Sequence, residues 1–364
     1  MKGLSAFGAV LTVLIGAHAS TTLLAGGDRA HSSATAEALL YSDCEPRGRR
    51  DSLVRLGEKL FFDQLLSTDS SISCATCHDP NFAFAENQDR SLGIGRDARR
   101  RNAPSLLGIG NRKSFGWDGR ASTLTHQLDD VFSIDGDMGI EVADVIERLR
   151  EDSSYQSQFR SLFGAEPEAE SLFEVLSQYQ RRLNFRGSAM ERYVIEGDRD
   201  AVSTDAAAGW ALFTSARAGC AGCHSPVWSD ETGKKSLQLT DEGFHNLGVG
   251  YVSGAFRDPG RFGVTAREAD LGAFKTPSLR NVSRTGPYMH DGSIKTLEEV
   301  IAFYIRGGTR NPHLDAVMHP RRLGATDSIQ LLAFLHALTD DWLTPQTGKA
   351  NPPCIFEGET LNDQ

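Results

Sequence analysis

Two pentapeptides, Cys74-Ala75-Thr76-Cys77-His78 and Cys220-Ala221-Gly222-Cys223-His224, constrain this chain more than any other feature of its sequence. In each, two thiols three residues apart share one face of a helical turn, and a histidine follows at once. That spacing lets both sulfurs form thioethers to the two vinyl groups of one haem while the imidazole turns under the iron. A lone motif of this kind also fits a zinc or a thiol redox site. Two copies behind an export signal select covalently bound haem c, so the sequence predicts two haems, one in each half of the chain.

The export signal is Met1-Lys2, the apolar run Ala6 to Gly16 and the small-x-small site Ala17-His18-Ala19, which predicts a signal peptide over 1–19 and a periplasmic protein. The periplasm is also where haem is joined to thiols. The run is shorter than the roughly 20 apolar residues of a membrane span, and no later stretch approaches that length. A formal charge of −10 argues against nucleic acid and anionic membranes, and favours a partner with a basic patch or a small uncharged substrate. Cys44 and Cys354 remain after the haem motifs are assigned. In an oxidising compartment they form a disulfide, stay as unrelated thiols or bridge two molecules.

A chain of 364 residues suggests about two domains after the leader is removed. Residues 20–50 read as a polar arm, 51–204 as an N-terminal haem domain, 205–345 as a C-terminal haem domain and 346–364 as a tail. Leu53, Leu56 and Leu60 recur at helical spacing, and helical patterns return at Val142 to Arg150 and Leu172 to Leu183. Ala206, Gly209, Trp210 and Phe213 form a helix face leading into Cys220. Residues 79–122 and 225–285 read as long loops wrapping a cofactor. Thr296-Leu297-Glu298-Glu299 reads as a capping box, closed by Gly307-Gly308, and a last helix is expected from about Asp327 to Leu343. The fold class is mainly α, with two cytochrome c-like haem domains and long loops.

Each pentapeptide supplies one axial histidine, so the chemistry depends on what fills the other face of each haem. Between Asp79 and Thr125 there is neither His nor Met, which predicts a five-coordinate first haem open to peroxide. Lys113 is the one other ligand type in that loop. On the helix 297–306, Leu297, Val300, Ile301 and Tyr304 share a face that should pack inward.

Several segments together resemble the bacterial dihaem cytochrome c peroxidase family, including its MauG-like branch. They are Leu56 to Phe62, Cys74 to Pro80, Arg101 to Ser105, Trp117 to Ala121 and Gly286 to Gly292, in order and at matching spacing over nearly all of 52–343. The resemblance implies that Trp117 relays electrons between the haems and that Gln127 positions peroxide. It also implies that Asp137 stands where the family has an acid-base glutamate, one methylene longer. His126 is a rival for the acid-base role. No histidine occurs from Ser91 to Asp97, where the reductively activated members carry a blocking one, so the resemblance implies a site ready in the diferric state.

Tyr304 falls at the family's sixth-ligand position for the second haem, methionine in ordinary peroxidases and tyrosine in the MauG-like branch, with Met289 and Met318 as other candidates. A Ca²⁺ ion is implied at Asn102, Thr285 and Pro287. The function implied is a periplasmic peroxidase using hydrogen peroxide, whose partner is either a redox protein donor or a protein whose Trp or Tyr residues it oxidises. A non-enzymatic dihaem electron carrier is the competing reading, and it requires six ligands on both irons.

Overall fold

The leucine periodicity near the start of the first domain is realised in a 14-residue helix, Arg49–Phe62, of the computed structural model, which describes residues 48–343 except 92, 95–100, 134, 186, 227 and 230–234. The predicted signal peptide, nearly all of the arm, Cys44, Cys354 and the tail lie outside the described residues, as does most of the stretch from Ser91 to Asp97. Among the described residues, the helices of two turns or more are α1 (Arg49–Phe62), α2 (Leu124–Val131), α3 (Val142–Glu151), α4 (Ser153–Phe163), α5 (Ala169–Arg182), α6 (Thr204–Phe213), α7 (Leu297–Ile305) and α8 (Ala325–Ala337). The protein is largely helical, and no described helix is long and apolar enough to cross a membrane.

Two helix pairs organise two hydrophobic cores. In the first, α1 crosses α5, burying Leu53, Leu56 and Leu60 against Leu172, Val175, Leu176 and Tyr179. Each such side chain contributes roughly 1.5–3 kcal/mol when removed from water. In the second, α6 crosses α8, with Phe213, Leu212, Phe334 and Leu338 at the centre. Both crossings depend on one glycine. A Cβ on Gly57 would stand 1.9 Å from the carbonyl oxygen of Val175 and 2.9 Å from Tyr179 Cβ. A Cβ on Gly209 would stand 1.9 Å from the carbonyl oxygen of Gln330 and 2.8 Å from Phe334 Cβ. The repeated geometry makes the two halves local copies of one helix-on-helix arrangement, each packed beside its own pentapeptide.

The second core also takes in residues before α6: Met190 is fully buried in it, and Tyr193, Val194 and Ile195 pack on it. Thr296 caps α7 by accepting from Glu299 N (3.2 Å), and Glu299 reaches back to Thr296 N (3.3 Å), which is the predicted capping box. The last helix starts at Ala325 and ends at Ala337; beyond it, Asp341–Leu343 is a separate short turn. Within 225–285 the chain is not all loop. Among its described residues are three two-stranded antiparallel ladders, of which Phe244–Asn246 with Ala273–Lys275 contributes His245, Phe274 and Lys275 to a cavity wall.

Candidate active site and haem pockets

Both pentapeptides open onto one continuous cavity of about 1140 Å³. That exceeds the roughly 300–1,000 Å³ of an ordinary small-ligand pocket. Burial pushes the thiols of Cys74 and Cys77 up to about 12 and that of Cys220 up to about 11. A redox or zinc-binding Cys pair needs the thiolate, favoured by a lowered pKa. Half-buried cysteines facing a large cavity, with the thiols of Cys74, Cys77 and Cys220 held protonated, instead suit covalent attachment to haem.

The two histidines are held identically. His78 Nδ1 lies 3.0 Å from the carbonyl oxygen of Phe84, and His224 Nδ1 lies 2.9 Å from that of Leu239. A proton on Nδ1 donated to a carbonyl leaves Nε2 free as the metal ligand. Burial lowers the pKa of both rings, which keeps them neutral as ligation requires. Phe84 (φ 58°) and Leu239 (φ 53°) both adopt left-handed backbone, an uncommon conformation for bulky side chains. The strained residue aims the carbonyl in each case, so the same local device orients both proximal ligands. The cavity wall also carries cations, Arg90, Arg112, Arg257, Lys275 and Arg321 among them, that suit the two carboxylates of each haem.

The opposite faces differ. Beside the first pentapeptide, α2 presents Gln127 and, one turn on, Asp130, and both line the cavity. Gln127 Oε1 and Asp130 Oδ2 are buried without a hydrogen-bond partner. Buried polar atoms are normally satisfied, so two orphans facing one cavity mark a place for a polar ligand. Asp137 lines the same pocket, and its charge acts on His78, Cys74 and Cys77. His126 is exposed and absent from the cavity wall, and Lys113 is exposed, with its backbone N–H donating to Glu242. Asp130 was not singled out from sequence; its position one helical turn beyond Gln127 is the signal that would have found it.

Beside the second pentapeptide, α7 sends Tyr304 into the cavity with Val300 and Ile301. Burial pushes its pKa up, and the nearby Cys220 and Cys223 push in the same direction. Met289 and Met318 also line the cavity. His245, another residue missed in the sequence, sits between Asp315 (2.6 Å) and Asp241 (3.0 Å), whose carboxylates favour its protonated form.

The seam between the pockets is built from Trp117 and its neighbours. Trp117 Nε1 donates to the carbonyl oxygen of Asn102 (2.8 Å), and Asn102 N donates to that of His290 (2.9 Å). Lys275 N donates to the carbonyl oxygen of Trp117 (2.8 Å), and Lys275 Nζ donates to that of Ser114. Arg101 ties both halves together by pairing with Asp118 (2.8 Å) and Asp258 (2.6 Å). Asn102 is thereby held against the segment that contains Thr285 and Pro287, all three lining the cavity.

A cavity bordered by both pentapeptides, with free imidazole nitrogens and a cationic wall, suits two haems of the c type. Comparison with known proteins agrees. The family described as "Di-haem cytochrome c peroxidase" matches residues 51–200. The methylamine utilization protein MauG of Methylorubrum extorquens is 37% identical over 287 residues, spanning 78% of this chain and 77% of that protein. The cytochrome c551 peroxidase of Nitrosomonas europaea is 30% identical, over 79% of this chain and 80% of that one. A solved MauG-like protein associated with microbial copper homeostasis superposes with a TM-score of 0.73 at 28% identity, covering 84% of this chain and 92% of that one. The chain belongs to the dihaem cytochrome c peroxidase and MauG family, and is a haem oxidoreductase.

Proposed function

We propose that the protein is a periplasmic dihaem peroxidase in which hydrogen peroxide reacts at a five-coordinate haem on Cys74, Cys77 and His78, and oxidising equivalents pass to a His224/Tyr304 haem on Cys220 and Cys223. The reading is carried by one observation, the pair of buried oxygens of Gln127 and Asp130 that line the cavity without a hydrogen-bond partner. When bound, the first haem would supply the two electrons that reduce hydrogen peroxide, on the side lined by Gln127, Asp130 and Asp137. The Gln127 side chain orients a bound peroxide molecule. Asp137 takes the proton from the oxygen nearer the metal and returns it to the departing oxygen, which leaves as water. Its short side chain makes reach the limiting feature, and Asp130 holds a second carboxylate on the same wall.

Trp117 serves as the relay, since its indole lines the shared cavity and its N–H is locked on Asn102. A phenolate oxygen from Tyr304 stabilises ferric and higher states more than a thioether would. That preference supports the second reading, in which the stored equivalents oxidise Trp or Tyr residues of a partner protein rather than simply drawing electrons from a donor cytochrome or cupredoxin. Asn102, Thr285 and Pro287 are assigned to one Ca²⁺ ion; the Asn102 amide nitrogen is committed to the carbonyl oxygen of Gln88 (2.8 Å), which leaves its oxygen as the donor.

The test is an optical and EPR titration of the diferric protein with one equivalent of hydrogen peroxide and no reductant. One high-spin and one low-spin haem giving a long-lived oxidised state supports the reading. Reaction only after one-electron reduction points to a hidden sixth ligand on the first iron, and no reaction in either state leaves the electron carrier.

A further inference from the structure

The chain between α7 and α8 is basic in an acidic protein. From Arg306 to Arg322 it holds four arginines and one acid, Asp315, although the whole chain carries −10. Asp315 is engaged, its Oδ2 accepting from His245 Nδ1 (2.6 Å) and its Oδ1 from Val317 N (3.0 Å). Arg306, Arg310 and Arg322 are exposed. The acids on adjoining elements are occupied or distant. Asp327 pairs with Arg217 (2.5 Å), and Asp241 with His245. Glu298 and Glu299 sit at the far end of α7, about 12 Å of helix from Arg306.

Amid these cations, Val317 is 44% exposed and also lines the haem cavity, with Met318 beside it on the wall. Arg321 fixes this rim. Its Nη2 donates to the carbonyl oxygen of Val317 (2.7 Å), and its Nη1 would stand 2.7 Å from a Cβ on Gly219, the residue before Cys220. The cavity wall therefore reaches the surface at Val317, an exposed apolar side chain held by Arg321 in a loop that carries three further exposed arginines.

We propose that this loop is the electron port of the second haem and that it receives a protein partner presenting carboxylates around a small apolar contact. The proposal rests on the reading in which electrons enter from outside. One electron leaves the partner at each encounter, and two encounters consume the two equivalents supplied by one peroxide. Opposite charge steers such encounters and raises their rate at low salt. The net charge of −10 alone predicts the reverse, a basic partner.

Stopped-flow oxidation of the fully reduced holoprotein separates the two without any peroxide, so a failed peroxidase reading leaves this test intact. Ferricyanide is the anionic probe and tris(phenanthroline)cobalt(III) the cationic one, with each haem followed by its own absorption. Ionic strengths of about 0.01 M and 0.1 M set screening lengths of about 30 Å and 10 Å. The second haem should react with ferricyanide at a rate that falls with salt, and with the cobalt complex at a rate that rises. Arg310→Glu with Arg322→Glu should slow ferricyanide about tenfold and invert both salt slopes, while Arg160→Glu, on exposed α4 of the first core, should do neither. Unchanged haem content and visible spectra verify that the variants are folded. Salt slopes of the opposite sign in the unmodified protein, or no effect of the double charge reversal, would overturn the proposal.

Discussion

The two haem pockets use the same attachment and the same proximal device, yet present different groups to the other face. His78 and His224 are each held by a carbonyl from a left-handed residue at 3.0 and 2.9 Å, and each pentapeptide packs beside a helix pair crossing at a glycine. Gln127, Asp130 and Asp137 line the cavity, with the Asp137 charge acting on His78, whereas Tyr304 lines it with Val300 and Ile301 close to Cys220 and Cys223. Local structure therefore orients each pentapeptide histidine, and segments distant in the chain supply the other groups on the cavity wall.

The sharpest way to break the comparison is to remove the polar groups from one side only. Asp137→Asn should lower the rate of peroxide reaction roughly 100- to 10,000-fold, the usual worth of a general acid-base group. The low-spin EPR signal of the second haem should stay as it was. Loss of both signals together would mean that Asp137 supports the fold rather than proton transfer.

Next come the glycines. Gly57→Ala and Gly209→Ala each place a methyl group 1.9 Å from a backbone carbonyl, so the helices must separate, at about 3 kcal/mol or more for such overpacking. Because the cores are distinct, denaturant unfolding followed at each haem should show Gly57→Ala loosening the first pocket more, and Gly209→Ala the second. Equal loss at both haems would show that the seam, not the helix pair, sets stability.

The seam itself is tested by pH. Burial lowers the pKa of Lys275 to about 8, with Arg112 adding to the effect. The unfolded chain keeps that amine protonated up to about 10.4. Between these values the unfolded state binds more protons, so stability rises with pH from about 8 to 10.4 and, below 8, bears the full cost of a buried cation. The gain should not exceed about 3 kcal/mol, and Lys275→Met should flatten the profile in denaturant titrations. A flat profile in the unmodified protein would mean that a carboxylate of the cofactor holds Lys275 protonated.

What the sequence disclosed follows from what is local. The pentapeptides, the leucine spacing of α1, the capping box at Thr296 and Glu299 and the inward face bearing Tyr304 depend on neighbours three or four residues away. Helix α4 was hidden because Ser153–Phe163 is mostly polar, with Tyr155 and Phe159 its buried contacts. The roles of Gly57 and Gly209 need a partner helix more than a hundred residues distant, and glycine in a helix otherwise reads only as a weak spot. The carbonyls of Phe84 and Leu239 carry no sequence signal, since nothing in those side chains favours left-handed backbone. Asp130 was missed for a similar reason: a carboxylate in a polar helix looks solvated until the opposite wall is known.

Asp130 gives the finest discrimination between the pockets. Its Oδ2 is buried and without a hydrogen-bond partner, and Arg120 is the positive charge that senses it. If the carboxylate only fills space, Asp130→Asn is nearly isosteric and should leave the first haem unchanged. If it shares proton handling with Asp137, the variant should slow peroxide reaction about tenfold, near 1.4 kcal/mol. Fluoride binding to the ferric first haem adds a readout separate from turnover, because a neutral amide repels an anion less than a carboxylate does. Fluoride should therefore bind more tightly to the variant at neutral pH, and the second haem, closed by Tyr304, should bind none. Unchanged fluoride affinity would place Asp130 outside the peroxide pocket and leave Gln127 and Asp137 as its polar side.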